Sequence, residues 1–289
     1  MPVVRERQGG RGIMMRHVIL PSPALRPHVR NIMVGEFSSM GSHLPATPDV
    51  QLVIYLQGRA SLIGEASVET MPQAFITGPC LMPRRFSVDI GSRFVGITFR
   101  PSGFSSCFGM PANLFRDRIV ALCDALSPGT AARWMEEVFT ARQVHDVVDA
   151  AESFLLRCLR DGRRREPTLP RLGLERLLMP AADLADGLSL GTRQLERRFL
   201  VNYGMPLRDY RRLARFSTVL APLLSGSPAG MNMARIAVDA HYVDQAHFIR
   251  DFRQFVGDTP GRFLKSRQEE DSIYRLWQFN ASELPSFLD

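Results

Sequence analysis

Residues 236–264 read IAVDAHYVDQAHFIRDFRQFVGDTPGRFL, and residues 184–210 read LADGLSLGTRQLERRFLVNYGMPLRDY. The two stretches share one grammar. Leu195, Phe199 and Gly204 follow one another at steps of four and five, as do Phe248, Phe252 and Gly257, and each glycine precedes an aromatic (Tyr210, Phe263) by six. The lead-in from Leu184 to Leu195 is eleven residues and that from Ile236 to Phe248 is twelve. Apolar residues at i and i+4 share a helix face, glycine ends a helix, and proline starts the next. Each copy is therefore a short helix, a turn, a second helix with one buried face, a glycine stop and a helix begun at Pro206 or Pro260. A degenerate internal repeat of this kind specifies two helix-turn-helix units. Between them, Leu207 to about Leu224 reads as one long connecting helix.

If Leu195, Phe199, Phe248 and Phe252 point inward, the intervening positions point out. In the first copy these are Thr192, Arg193, Gln194, Glu196 and Arg197; in the second, Asp244, Gln245, Ala246, His247 and Arg250. Arginine bonds guanine edges and glutamine bonds adenine edges bidentately in a major groove. Charge supports the same reading. The net charge is +7, and residues 157–215 alone, with 14 basic and 7 acidic side chains, carry an excess of that size. A localised excess marks a surface for a polyanion, whether nucleic acid, an acidic membrane or an acidic protein. Arg163 to Arg165 fit a solvated linker, whereas Arg193, Arg197, Arg198, Arg211, Arg212 and Arg215 fall within helical patterns.

From about Pro167 to Lys265 the chain resembles the AraC/XylS-type DNA-binding domain of bacterial transcription regulators, the second copy most closely. The resemblance implies seven helices, two helix-turn-helix units on a long shared helix, and sequence-specific control of transcription. Residue by residue, it assigns base contact to Arg193, Glu196 and Arg197 in the first unit, and to Gln245, Ala246, His247 and Arg250 in the second. Two positions depart from the family pattern. Gly191 replaces the usual serine or threonine cap, with Thr192 placed to take over by shifting the helix start; His241 replaces a glycine in the second turn.

The amino-terminal half is different. From Val50 to about Phe99, alternating apolar residues are punctuated by Gly58, Gly64, Gly78 and Gly91, the pattern of an antiparallel sheet that curls into a sandwich or barrel. Phe86, Val88 and Ile90 share one parity, as do Val95, Ile97 and Phe99, and Gly91-Ser92 suits a tight turn, so a hairpin is expected there. Helical spacing follows from Thr130 to about Arg160, and the charged, proline-bounded run 161–170 reads as a linker. The expectation is an α+β chain of two domains: a β-rich sensor or dimerisation domain with following helices over 13–160, the linker over 161–170, an all-α DNA-binding domain over 171–268, and a tail over 269–289. The first half also resembles, loosely, the β-rich sensor domains joined to such regulators; its GITFRPSGF, residues 96–104, is similar to a pattern in one subgroup of them.

Catalysis finds little support in these residues. His17, His28 and His43 are scattered without an H-x-H, and there is no phosphate loop, G-x-S-x-G or H-E-x-x-H, so no metal, cofactor or catalytic residue is assigned. Cys80, Cys107, Cys123 and Cys158 match no zinc or disulfide spacing and read as reduced, mostly buried thiols. Arg100 at a strand end, and the run Phe94, Phe99, Phe104 and Phe108, fit a solvated cation and a core better than an effector pocket. With no apolar run of membrane-spanning length, a cytoplasmic location is expected. The expected partner is double-stranded DNA. RNA polymerase, a small-molecule effector and a second copy of the chain are further partners this reading admits. The alternative is a small-molecule-modifying barrel enzyme fused to a DNA-binding module.

Overall fold

A computed structural model describes residues 13–37, 41–161, 169–225, 238, 240 and 242–266. Ten strands build two antiparallel sheets: β1 (Ile13–Ile19), β2 (Val29–Phe37), β3 (Gly41–Leu44), β4 (Gln51–Gln57), β5 (Ala60–Ile63), β6 (Val68–Thr70), β7 (Ala74–Thr77), β8 (Arg84–Val88), β9 (Arg93–Phe99) and β10 (Ile119–Ala121). The larger sheet has the order β1-β2-β9-β4-β7-β10 and the smaller β3-β8-β5-β6. The sheets face each other without closing into a barrel, which places the amino-terminal half on the sandwich side of the expectation.

Strand alternation explains the layering. Val34, Ile54, Val95 and Ile97 project from one face of the large sheet onto Trp134 and Val138 of α3 (Pro128–Thr140) and Val147, Ala151 and Phe154 of α4 (Val144–Asp161). Trp134 stacks on Phe154 with centroids 4.2 Å apart. From the opposite face Phe37, Tyr55, Phe75 and Phe94 meet Phe86 and Val88 of the small sheet. The large sheet is thus a central layer, buried on both sides.

The expected hairpin is not formed. The turn is present, with the Ser92 amide bonded to the Asp89 carbonyl at 3.0 Å, but β8 pairs with β3 and β5, while β9 pairs with β2 and β4. Because Phe94 to Phe99 are all buried, β9 needs a strand on each edge and a layer on each face. A central place in the large sheet supplies both. The turn is tied instead to the end of β2, where the Phe37 amide donates to Ser92 O and its carbonyl accepts from Gly91. Ile90, assigned to the buried parity, is 65% exposed at this corner.

Three short elements complete this half: α1 (Gly103–Phe108), a 3-10 turn at Ala112–Phe115, and α2 (Leu122–Ala125). Beyond α4 come six helices among the described residues: α5 (Leu174–Leu178), α6 (Ala181–Asp186), α7 (Thr192–Tyr203), α8 (Leu207–Ser225), α9 (Gln245–Val256) and α10 (Pro260–Ser266). Leu195, Phe199, Tyr203, Phe216, Phe248, Phe252, Phe255 and Phe263 form their core. That core takes in Ala46 from the amino-terminal half, and Leu81 packs on it. Most of the expected linker lies outside the described residues, although Leu169 near its far end is buried in the helical core. Ile236, Ala237, His241 and the tail 269–289 also lie outside them.

Candidate nucleic-acid interface

Both repeat units place a polar helix face in solvent by burying the other. In α7, Leu195 and Phe199 are fully buried, and Phe199 stacks on Tyr203 with centroids 4.0 Å apart. Thr192, Arg193, Gln194, Glu196 and Arg197 are all exposed. In α9, Phe248 and Phe252 are buried while Gln245, Ala246 and Arg250 are exposed and His247 is half-buried. Each helix ends at a glycine with positive φ, Gly204 at 78° and Gly257 at 84°, whose amide closes the last turn onto Leu200 O and Arg253 O.

The helix starts differ from expectation. Gly191 remains the cap of α7 in extended conformation with no side-chain cap bond; Thr192 is the first helical residue and does not move the start. Asp244, expected to face DNA, caps α9: its Oδ1 accepts the His247 amide at 2.6 Å. An acceptor there satisfies an otherwise orphaned amide, the ordinary role of aspartate before a helix. Aspartate immediately before Q-A-H-F was the signal that could have shown it. Pro206 likewise stands just outside α8, where its carbonyl accepts the Tyr210 amide, so this helix begins at Leu207.

The arginines of α8 were grouped with the polyanion surface, yet three are engaged within the fold. Arg211 donates to Met179 O at 2.6 Å, Arg215 lies over the Tyr242 ring at 5.6 Å, and Arg212 binds Asp251 Oδ1 at 2.6 Å and Gln254 Oε1 at 2.7 Å. Asp251 is 1% exposed, so Arg212 neutralises a buried carboxylate and ties α9 to α8. Arg193, Arg197, Arg208 and Arg250 make no hydrogen bond or ion pair among the described residues.

Two surface concavities connect these faces. One is lined by Arg193, Gln194, Glu196, Arg197, Pro206, Leu207 and Arg208. The other is lined by Glu196, Leu207 and Arg208 again, with Arg211, Arg212, Arg215, His247 and Arg250. Sharing three residues, they form one furrow that runs from the α7 face across α8 to the α9 face.

The amino-terminal half holds α7 and α9 near their carboxyl ends and α8 in its first turn. Ala46 N donates to Phe255 O at 2.7 Å, Ser102 N to Asn202 O at 3.0 Å, and Arg116 pairs with Asp209 at 3.1 Å. Gly204 abuts Pro79 and Ala112, and Gly257 abuts His43 and Pro83.

Residues 184–266 match the family model described as a helix-turn-helix domain. These residues thus carry a helix-turn-helix domain. Residues 17–121 match a domain of unknown function, DUF6597. No curated protein matches the chain. Among solved structures, the chain is similar to ToxT from Vibrio cholerae at 14% identity, over 81% of this chain and 97% of that one, with a TM-score of 0.43. It is also similar to the C-terminal domain of the response regulator yesN from Fusobacterium nucleatum, at 24% identity over 30% and 82% with a TM-score of 0.27. The AraC-like transcriptional activator CuxR is similar at 15% identity over 73% and 84%, with a TM-score of 0.29.

In the β-rich half, Arg100 Nε donates to Arg26 O at 2.9 Å. Phe99, Phe104 and Phe108 pack edge-on or tilted against one another beneath α4, and Phe94 lies in the core between the sheets. Burial pushes the Cys80 and Cys107 thiols up in pKa and so away from the reactive thiolate, whereas Cys123 is exposed and Cys158 half-buried. Among the described residues, no three histidine, cysteine or acidic side chains stand close enough to hold a metal ion, and no helix is long and apolar enough to cross a membrane.

Proposed function

We propose that this chain is a transcription regulator of the AraC type that recognises a specific DNA sequence by placing α7 and α9 in successive major grooves on one face of a duplex. The observation that carries the reading is the continuous furrow joining the two exposed faces. The 19 residues of α8 span about 28 Å at 1.5 Å per residue, close to the groove repeat of about 34 Å. Thr192, Arg193, Gln194, Glu196 and Arg197 would face one groove, and Gln245, Ala246, His247 and Arg250 the next. Arg197, Gln245 and Arg250 are the strongest base readers of this set, because their side chains match purine edges bidentately. Glu196 accepts from cytosine N4 or, misplaced, repels phosphate.

In this proposal residues 13–160 form a domain that senses a small molecule or pairs with a second copy, without catalysis, and 171–268 form the DNA-binding domain. RNA polymerase is the natural further partner of a chain acting in the cytoplasm at a promoter. Selection of bound fragments from random duplexes, followed by a salt titration on the winner, tests it. The expected outcome is one recurrent sequence with two elements about one helical turn apart, and affinity that falls by about 0.9 log units per log unit of salt for each phosphate contacted. Absence of any enriched sequence, or a flat salt dependence, overturns it.

A further inference from the structure

We propose that Arg208 is a backbone clamp, gripping a phosphodiester of the duplex between the two grooves that α7 and α9 enter; this rests on the reading just given. Arg208 lies in the first turn of α8 and is one of the three residues shared by both halves of the furrow. It is exposed and, among the described residues, makes no hydrogen bond or ion pair, whereas Arg211, Arg212 and Arg215 of the same helix are bound to Met179, Asp251 and Tyr242. Its place is also unfavourable for the helix that bears it, since a cation in a first turn faces the positive end of the helix dipole. The neighbouring acid gives no compensation: Asp209 is paired with Arg116, 3.1 Å away.

Neither pairing nor helix electrostatics therefore accounts for a positive charge at the midpoint of the furrow, and a polyanion does. A duplex lying across both reading faces brings the backbone that borders its intervening minor groove over Leu207 and Arg208. With Glu196 on the same wall disfavouring phosphate, Arg208 stands, among the described residues, as an unpaired cation between Arg197 on one side and Arg250 on the other. Phosphate contacts set register and orientation without carrying sequence information. Arg208 thus acts as a positioning residue that fixes where both helices enter their grooves.

The test uses the full chain and its selected duplex. Arg208→Ala is expected to make the slope of log affinity against log salt shallower by about 0.9, with the ranking of base preferences unchanged and the thermal midpoint at or slightly above that of the parent. Arg208→Lys should restore the slope. Methylphosphonates replacing the phosphates between the two sequence elements should abolish the difference between parent and Arg208→Ala. An unaltered slope in Arg208→Ala beside a steep parental slope overturns this inference alone. So does a changed base preference, or unfolding of Arg208→Ala, which would give the residue a reading or structural role. A flat parental slope overturns the wider reading as well.

Discussion

The Phe255 carbonyl, in the last turn of α9, accepts the Ala46 amide at 2.7 Å, which bonds that helix directly to a loop of the β-rich half. The α7 helix is held in the same way, through Ser102 and Asn202 and by the seat of Gly204 on Pro79. Both helices are thus gripped at their carboxyl ends by one body while their outward faces remain free. The spacing of the two faces depends on that body as well as on α8, so a change in the β-rich half has a route to DNA affinity.

The seat of Gly204 is open to direct measurement. A Cβ there would lie 2.6 Å from Pro79 Cγ and 3.2 Å from Ala112 Cβ, on a backbone with φ of 78°. Gly204→Ala should lose on the order of 1–3 kcal/mol, combining left-handed strain with the clash. In a double-mutant cycle with Pro79→Ala, which removes Cγ, part of that loss should be recovered as a coupling of about 0.5 kcal/mol or more. Urea unfolding measures it, and strictly additive costs would mean that the helix end is not seated on Pro79.

Arg212 tests how α9 is fastened to α8. Truncation to alanine strands the nearly inaccessible Asp251 carboxylate, and breaking a buried pair from one side costs about 3–5 kcal/mol; the partly exposed Arg212 places the expectation toward the lower end. Asp251→Asn keeps an acceptor without the charge and should lose less. Equal losses would show that packing rather than charge dominates the joint.

The repeat was legible because its spacing encodes burial. Leu195, Phe199, Phe248 and Phe252 are inside, Gly204 and Gly257 end their helices, and the polar positions between are largely in solvent. Other features depend on residues far apart in the chain. Parity and a glycine turn show that β8 and β9 are strands joined by a tight corner, but not that β9 must have β2 and β4 on its edges. A charge count cannot separate Arg208, which is free, from Arg212, which neutralises an aspartate 39 positions later. The contacts of Ala46 and Pro79 with the helical half have no local signature at all.

Arg197 and Arg250 should behave alike although they belong to different units. Each is exposed without a partner among the described residues, so alanine should leave folding unchanged and cost about 1–3 kcal/mol of operator affinity. The loss should relax preference at particular base pairs, one set in each half of the site. Competition binding against single-base variants measures this, and a uniform loss for every sequence would reassign the residue to the backbone.

Asp244 separates capping from recognition. Asparagine caps as well as aspartate, whereas alanine forfeits about 1 kcal/mol. Asp244→Asn should therefore keep the thermal midpoint and, with a negative charge removed beside the DNA face, bind at least as tightly; Asp244→Ala should lower the midpoint. A specific loss of base preference in the asparagine variant would restore the residue to the reading set.

His43 gives the junction between the halves a predictable response to acid. It is 5% exposed and packs where Gly257 ends α9, with its Cε1 3.1 Å from where a Cβ on Gly257 would lie. Burial first, and the Arg85 guanidinium second, hold its pKa below the ordinary 6.5, while Asp258 pulls the other way. The unfolded chain therefore binds the proton more readily than the folded one. Stability from this group is complete above about pH 6.5, declines as the pH falls toward the folded value, and levels off below it. The thermal midpoint should accordingly be lower at about pH 5.5 than at about pH 7.5, on either side of the ordinary histidine value. His43→Gln should show a smaller difference, with a remainder from His28, whose pKa burial also lowers. If the glutamine variant kept the full acid sensitivity of the parent, the junction would owe none of it to His43.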